Sequence, residues 1–227
     1  MKSADRTRPP QRALEVLAWL ESQGSEAESE GMARYGIPSE TAFGVSVGAL
    51  QKHARKLGRD HDLAGALWET GRYEARMLAC FVDEPAAVTA AQMDRWCRDF
   101  DSWAICDTAC FHLFDRTPHA WRKVDQWSRR RGELARRAAF ALLACLALHD
   151  KATGDEPFLR RLALVEKAAT DGRNFVKKGV LWALRAIGER NAELRGAASS
   201  LAERLAESSD ATARWVGKGA HKKLSNR

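Results

Sequence analysis

A hydrophobic period close to 3.6 residues runs through almost the whole chain, and this feature limits the fold more than any other. It is clear in segments such as RALEVLAWLES, VGALQKHARKLG, RRAAFALLACLAL and FVKKGVLWALRAIG, where apolar residues recur at helical spacing. No segment shows convincing strand alternation. Short breaks that carry turn residues separate the periodic segments, for example LGRDHD, DRTPH and ERNAE. The sequence therefore predicts an all-α chain of about a dozen helices of roughly 10–18 residues joined by turns.

Four of these segments can be laid over one another, which indicates an internal repeat. They are GRYEARMLACF (71–81), GELARRAAFALLACL (132–146), GRNFVKKGVLWALRAI (172–187) and SSDATARWVGKGA (208–220). Each opens with a turn residue and then reaches a basic residue, namely Arg76, Arg137, Lys178 and Arg214. The last two intervals, 41 and 36 residues, suit a helical-hairpin repeat of the HEAT type. Chance similarity among arginine-rich helices is the alternative interpretation.

The repeat predicts an α-solenoid, a superhelix of HEAT-like helical hairpins with a basic concave groove. We expect residues 11–227 to form a single HEAT-like repeat domain and residues 1–10 to form a disordered tail. The acidic residues 21–31, which include four glutamates and two glycines, are expected to form a loop.

The distribution of charge points to an anionic partner. The chain has 227 residues and a net charge of +7. Residues 121–137 carry seven Arg or Lys against two acids, and residues 214–227 carry five and no acid. Such concentration is typical of a nucleic-acid surface, although solvated helix faces that happen to be basic would give the same pattern.

Several classes of protein are disfavoured. No run of 18 apolar residues occurs, and the first twelve residues, MKSADRTRPPQR, lack the apolar stretch of a signal peptide. Five cysteines without a CxxC pair suit free thiols in a reducing cytosol, so we expect a cytoplasmic protein, associated with the nucleoid when it acts on DNA. Cys106 and Cys110 share a helix face, but no second ligand pair with zinc-like spacing follows, and we expect neither a metal nor a cofactor.

The stretch DSWAICDTAC (101–110) contains the most unusual side chain for its position. Trp103 and Asp107 lie four residues apart on one face of a predicted helix, and the same face continues with Cys110, Phe111 and Phe114. A carboxylate among large apolar groups is costly unless something pairs with it. The sequence leaves two partners open for Asp107: a structural cation such as Arg137, or a positive charge on a bound ligand.

These segments together resemble the AlkD-like family of DNA alkylation repair glycosylases, which are built from HEAT-like repeats. The likeness runs from about residue 32 to the C-terminus. Residues 32–79 are similar to the N-terminal half of the family, and DSWAICD resembles its Trp-containing motif with an Asp four residues later. LARRAA (134–139) is similar to the stretch that carries its DNA-binding Arg, and FVKKGVLWALRAIGERN (175–191) to the segment with its second functional Trp.

The resemblance implies a set of site residues. Asp107, Trp103 and Trp182 would be catalytic, with Asp107 stabilising the positive charge that develops on the deoxyribose and orienting the attacking water, and the two indoles attracting the cation. DNA phosphates would be bound by basic residues, led by Arg137 and extended by Arg136, Lys177, Lys178, Arg185, Arg214 and Lys218. The chain departs from the family pattern at Ala104 and Leu181, where an acidic and a polar residue are common. Without the resemblance, the tryptophans could be core residues and the basic side chains solvated charges.

The implied function is a monofunctional DNA-alkylpurine N-glycosylase. It would hydrolyse the N-glycosidic bond of cationic N3- and N7-alkylated purines in duplex DNA, without a metal, and we expect it to be a monomer. A non-catalytic HEAT-like protein that binds distorted or branched DNA is the alternative, because the same basic groove would serve it. A protein–protein scaffold is disfavoured, since basic residues occupy the repeated position where an apolar groove would be needed.

Overall fold

The computed structural model describes residues 10–37 and 39–225. Within these ranges the chain is helical, with two short 3-10 turns and no strand. The residues of the predicted N-terminal tail, apart from residue 10, lie outside the described ranges. The α-helices are α1 (Gln11–Gln23), α2 (Glu26–Met32), α3 (Val47–Leu57), α4 (His61–Glu69), α5 (Tyr73–Val82), α6 (Ala90–Arg98), α7 (Trp103–His112), α8 (Ala120–Trp127), α9 (Glu133–His149), α10 (Glu156–Ala168), α11 (Asn174–Gly188), α12 (Ala192–Ala206) and α13 (Ala211–Leu224).

Short polar side chains start many of these helices. A side-chain oxygen accepts a hydrogen bond from the backbone N–H three residues later at Ser46, Asp60, Ser102, Asn191 and Asp210. Each bond satisfies an N–H that has no partner inside the helix. The turn residues between the periodic segments therefore fix where the helices begin.

The prediction of a loop over residues 21–31 is wrong. Helix α1 continues to Gln23, and α2 occupies Glu26–Met32. Glu26 and Glu28 lie in the first turn of α2, where a carboxylate is favoured by the positive end of the helix dipole. Gly24 confines the break to a short turn, after which the Ser25 N–H donates to the Phe43 carbonyl. Glutamate and alanine are good helix formers, so a lack of apolar periodicity did not prevent a helix here.

The described helices divide into two compact units, residues 1–89 and 90–227. A single repeat domain over residues 11–227 stays a prediction. None of the helices in the described ranges is long and apolar enough to cross a membrane.

The first unit is organised around the buried carboxylate of Glu74 on α5. Its two oxygens accept hydrogen bonds from three consecutive backbone N–H groups, those of Phe43 at 2.8 Å, Gly44 at 2.7 Å and Val45 at 3.2 Å. Gly44 has a φ of +80°, a conformation that a side chain would strain. Glu74 thus anchors the segment that leads into α3.

The second unit consists of two layers of helices. Helices α7, α9, α11 and α13 pack side by side in that order and form one layer. The other layer consists of α8, which contacts α9, of α10, which contacts α11, and of α12, which contacts α11 and α13. Residues 137–147 of α9 are all buried, which is expected for a helix surrounded by its neighbours. We call α7, α9, α11 and α13 the inner row, since this row carries the site described below.

Polar contacts join the helices of the other layer. Arg161 of α10 forms an ion pair with Asp125 of α8 at 2.7 Å. Near the start of the unit, Asp94 of α6 accepts hydrogen bonds from Lys123 Nζ at 2.6 Å, Trp127 Nε1 at 2.8 Å and Arg130 Nη2 at 2.7 Å. Lys123 is only 2% exposed, so Asp94 supplies the counter-charge that a buried ammonium requires.

Candidate active site and nucleic-acid interface

Helix α7 places Trp103 and Asp107 on the same face. Ser102 caps its first turn, and the opposite face buries Ile105, Cys106 and Ala109. Trp103 and Asp107 are both half-buried, so neither side chain is sealed in the core. The helical spacing predicted from the sequence is therefore the spacing found.

Arg137 of α9 binds the carboxylate of Asp107 with two donors. Its Nε lies 2.8 Å from Oδ1 and its Nη2 lies 2.6 Å from Oδ2. The remaining nitrogen, Nη1, donates to the carbonyl of Phe175 in α11 at 2.9 Å. The side chain of Arg137 is 8% exposed and that of Asp107 is 20% exposed. As a whole side chain, Asp107 is therefore the more exposed member of the pair.

The predicted phosphate-binding role of Arg137 stays a prediction, and the structure shows which protein groups this side chain binds. Three of its five N–H donors, one on each nitrogen, already bind protein oxygens. A forked guanidinium fixes both the position and the plane of a carboxylate. Arg137 therefore orients Asp107, which is the structural partnership that the sequence left open, and the Asp107 side chain is still 20% exposed.

Burial and pairing act against each other on the protonation of this pair. Burial raises the pKa of the Asp107 carboxyl above its ordinary value, and the hydrogen bonds and charge of Arg137 oppose that rise. For Arg137, burial would lower the pKa, but the hydrogen bonds and charge of Asp107 outweigh it and raise the pKa. Arginine is thus always charged here, and Asp107 is the member of the pair that can titrate.

Trp103 completes a three-residue cluster with this pair. The Arg137 Cζ atom lies 5.8 Å from the centroid of the Trp103 ring, within cation–π range. Trp182 lies on the next helix of the inner row, three residues after Gly179, and is half-buried. A Cβ atom at Gly179 would lie 3.5 Å from Arg137 Cγ, so α11 packs closely against α9 at this point. The structure thus joins Trp103, Asp107 and Arg137 directly and places Trp182 on the adjacent helix.

A surface cavity of about 810 Å³ opens at the N-terminal end of α9. Phe100 and Phe175 supply apolar walls, and Arg98, Arg130 and Arg131 supply positive charge. Phe175 is also the residue whose carbonyl accepts from Arg137. The cavity therefore shares one lining residue with the contacts of Arg137, and its charge is mixed, because Glu133 also lines it and Arg130 pairs with Asp94.

Three of the predicted phosphate-binding arginines have protein partners. Arg136 forms an ion pair with Asp171 at 3.1 Å. Arg185 donates from Nε and Nη2 to the carbonyl of Gly219. Arg214 donates from Nη1 to the carbonyls of residues 208 and 209. These contacts fix the three side chains along the inner row, and their predicted contacts with phosphates stay predictions.

One of the three predicted lysines, Lys177, contacts a residue that sequence reasoning missed. Lys178 and Lys218 are exposed, while the Lys177 Nζ atom lies 5.2 Å from the ring centroid of Trp215 on α13. Trp215 is 43% exposed. Its position in the basic segment 214–227, next to Arg214, was the available signal.

The cysteines do not form a metal site. Free thiols at positions 97, 106, 110 and 145 are buried, and burial raises the pKa of Cys97 to about 12. Over residues 10–37 and 39–225, no group of three or more His, Cys, Asp or Glu side chains is placed to hold a metal ion. The chemistry available at the cluster is that of a carboxylate, an arginine and indole rings.

The sequence matches the family described as DNA alkylation repair enzyme over residues 16–224. A solved structure has a TM-score of 0.75 and 22% sequence identity, and the match covers 84% of this chain and 81% of that chain. That structure is described as a new family of proteins related to the HEAT-like repeat DNA glycosylases, with affinity for branched DNA structures. No curated protein matches the sequence significantly. The structural likeness confirms the predicted all-α, HEAT-like repeat fold.

Proposed function

Because the chain belongs to the DNA alkylation repair enzyme family, we propose that it is a monofunctional DNA glycosylase that removes cationic N3- and N7-alkylated purines from duplex DNA. The observation that carries this proposal is the carboxylate of Asp107, which Arg137 holds with two hydrogen bonds on a side chain that is 20% exposed. A fixed carboxylate beside a tryptophan suits a reaction in which positive charge develops next to the protein.

The substrate itself explains why no strong acid is needed. Alkylation at N3 or N7 gives the purine a positive charge, so the base departs with the electron pair of the N-glycosidic bond and becomes neutral. Positive charge then develops on the deoxyribose, as it does on the sugar in glycoside hydrolysis. Asp107 would stabilise that charge and orient the attacking water, whose oxygen forms the new bond to C1′ and whose proton passes to the carboxylate or to solvent.

Arg137 would act as a positioning residue in this reaction. Its two hydrogen bonds to Asp107 and its third to the Phe175 carbonyl keep the carboxylate in one orientation. A preorganised group pays no reorientation cost when the charge appears. Trp103, next to the guanidinium, and Trp182 on the neighbouring helix would contact the damaged nucleotide through their ring faces.

A second function has a specific observation in its favour. Both oxygens of Asp107 already accept a hydrogen bond from Arg137, which reduces what the carboxylate can offer a substrate. A protein that binds distorted or branched DNA without cleaving any bond needs the basic inner row but not an available carboxylate. Affinity for branched DNA is stated for the structurally similar protein.

Release of free bases separates the two functions. Duplex DNA treated with a methylating agent is incubated with the purified protein, and 7-methylguanine and 3-methyladenine in the supernatant are measured against a sample without protein. The glycosylase proposal predicts release well above spontaneous depurination. Release equal to the control, together with salt-dependent binding of the same DNA, would contradict the proposal and favour a binding protein.

A further inference from the structure

Trp215 is a large apolar side chain that the fold leaves in solvent. Tryptophans 68, 96 and 127 are at most 1% exposed, whereas Trp215 is 43% exposed. Among aromatic side chains in residues 10–37 and 39–225, only Tyr35 joins it in the exposed group. Tryptophan is highly buried on average, so the side chains around an exposed one indicate what it could contact.

Positive charge surrounds this indole. Lys177 of α11 places its Nζ atom 5.2 Å from the ring centroid. Lys218 and Lys222 follow Trp215 at i+3 and i+7, the spacing of one helix face, and both are exposed. The patch formed by Trp215, Lys177, Lys218 and Lys222 thus combines one exposed ring with three ammonium groups.

The packing of α11 locates this patch relative to the Asp107 cluster. On one side, α11 contacts α9 at Gly179, next to Arg137. On its other side, α11 contacts α13: a Cβ atom at Gly219 would lie 3.1 Å from Leu181, and Arg185 donates to the Gly219 carbonyl. Trp215 therefore lies one helix beyond α11, at the far end of the inner row from Trp103.

We propose that Trp215, with Lys177, Lys218 and Lys222, binds an unpaired strand of DNA: a nucleobase stacks on the exposed indole and the lysines contact the flanking phosphates. Aromatic rings flanked by basic residues bind single strands in this way, because every base has a face for stacking and every nucleotide a phosphate. The inference concerns DNA binding alone and does not depend on bond cleavage at Asp107.

The geometry favours an unpaired strand over intact duplex. In a duplex the base faces are covered by their neighbours in the stack, and only edges and backbone are accessible. An exposed indole gains little from that surface, whereas the lysines would bind the phosphates of either form. The patch should therefore add affinity where bases are unstacked, at a gap, a fork or a branch.

Binding of undamaged DNA tests this site without reference to catalysis. Kd is measured by fluorescence anisotropy for a duplex and for the same duplex carrying a single-stranded arm, using the wild type and Trp215→Ala. We expect Trp215→Ala to weaken binding of the armed duplex roughly tenfold, the scale of one lost base–aromatic stack, and to leave duplex binding within about twofold. Trp215→Phe should retain most of the affinity, because phenylalanine keeps a stacking face.

Two further variants show whether a change in DNA affinity is specific to the patch. Tyr35→Ala, which removes an exposed aromatic side chain in the first unit, should bind both DNAs as the wild type does. Lys218→Ala should reduce the slope of log K against log salt for the armed duplex by about 0.7, the value for one phosphate contact on a single strand. Equal weakening of both DNAs by Trp215→Ala, no weakening of either, or an unchanged salt slope for Lys218→Ala would overturn the proposal.

Discussion

Arg137 holds both carboxylate oxygens of Asp107 through separate N–H donors, with Nε 2.8 Å from Oδ1 and Nη2 2.6 Å from Oδ2. The pair links α7 to α9, and the third donor of Arg137 extends the link to α11 through the Phe175 carbonyl. One buried guanidinium thus sets the orientation of the carboxylate on which the proposed chemistry depends.

Arg137→Lys should lower the rate of base release by more than its loss of folding stability would explain. A lysine keeps the charge but cannot form the fork or reach three acceptors at once, so Asp107 loses its fixed orientation. We expect the single-turnover rate of base release to fall at least about tenfold and the free energy of unfolding to fall by about 1–3 kcal/mol. Arg161→Lys, which alters the Asp125 pair between α8 and α10, should cost stability without changing the rate. Equal rates of base release in the two variants would contradict the positioning role of Arg137.

As the pH is lowered, the rate of base release should begin to fall at a pH above the ordinary pKa of an aspartate. Burial raises the pKa of Asp107, with Arg137 opposing, and the protonated carboxyl cannot stabilise a cation. After correction for spontaneous depurination, the acid limb of the rate profile should lie above about pH 4, the usual range of an aspartate. The limb should be absent from the residual activity of Asp107→Asn. A rate that stays constant down to pH 4 would show that Asp107 is not the titrating group.

Asp94→Asn should lower the free energy of unfolding at neutral pH and make that free energy less dependent on pH in the acid range. Burial alone would raise the pKa of Asp94, but hydrogen bonds from Lys123 and Trp127 and the charges of Lys123 and Arg130 lower it. A carboxyl with a lowered folded-state pKa stabilises the fold above the unfolded value, and this contribution is lost as the pH falls below about 4. We expect a loss of about 2 kcal/mol at pH 7 by urea unfolding, because Lys123 is left without its full counter-charge. The wild type and the variant should converge in stability as the pH is lowered, and a constant difference would contradict this.

Two glycine substitutions in neighbouring helices should have opposite effects. A Cβ atom at Gly217 of α13 would clash with the backbone N of Ala206 and lie 2.6 Å from the carbonyl oxygen of Ala202 in α12. Gly217→Ala must therefore separate the two helices, at a cost of about 2 kcal/mol. A Cβ atom at Gly196 meets nothing within 4 Å, so Gly196→Ala should stabilise α12 by about 0.5–1 kcal/mol. Thermal unfolding of both variants checks the signs, and a stable Gly217→Ala protein would argue against the close packing of α12 and α13.

The sequence was sufficient for the helical fold because its evidence is local. Apolar periodicity and turn residues act within a few neighbouring residues, and Ser102 and Asp210 cap the first turns of α7 and α13 through such local contacts. The acidic residues 21–31 show the limit of this reasoning. They lack an apolar stripe, yet helix propensity and two glutamates in the first turn were enough to form α2.

The partners of the candidate site residues were harder to predict, because they depend on contacts between helices. The i, i+4 spacing put Trp103 and Asp107 on one face, but it could not show that Arg137 binds the Asp107 carboxylate. Arg214, likewise predicted to contact DNA, donates to two carbonyls just before its own helix, and the sequence did not indicate these contacts. The exposure of Trp215 could not be predicted from the sequence, because a tryptophan at helical spacing is usually a core residue. Only the packing of α13 shows that this side chain is exposed.

The most direct test of the proposed function is the effect of Asp107→Asn on the single-turnover release of 7-methylguanine and 3-methyladenine from methylated duplex DNA. Asparagine keeps the size of the side chain and removes its charge, and Asp125→Asn serves as a control that alters another Asp–Arg pair in the same unit. We predict that Asp107→Asn lowers the rate by about a hundredfold or more while DNA binding is retained, and that Asp125→Asn leaves the rate unchanged. Release by Asp107→Asn at the wild-type rate would contradict the assignment of Asp107 as the catalytic carboxylate.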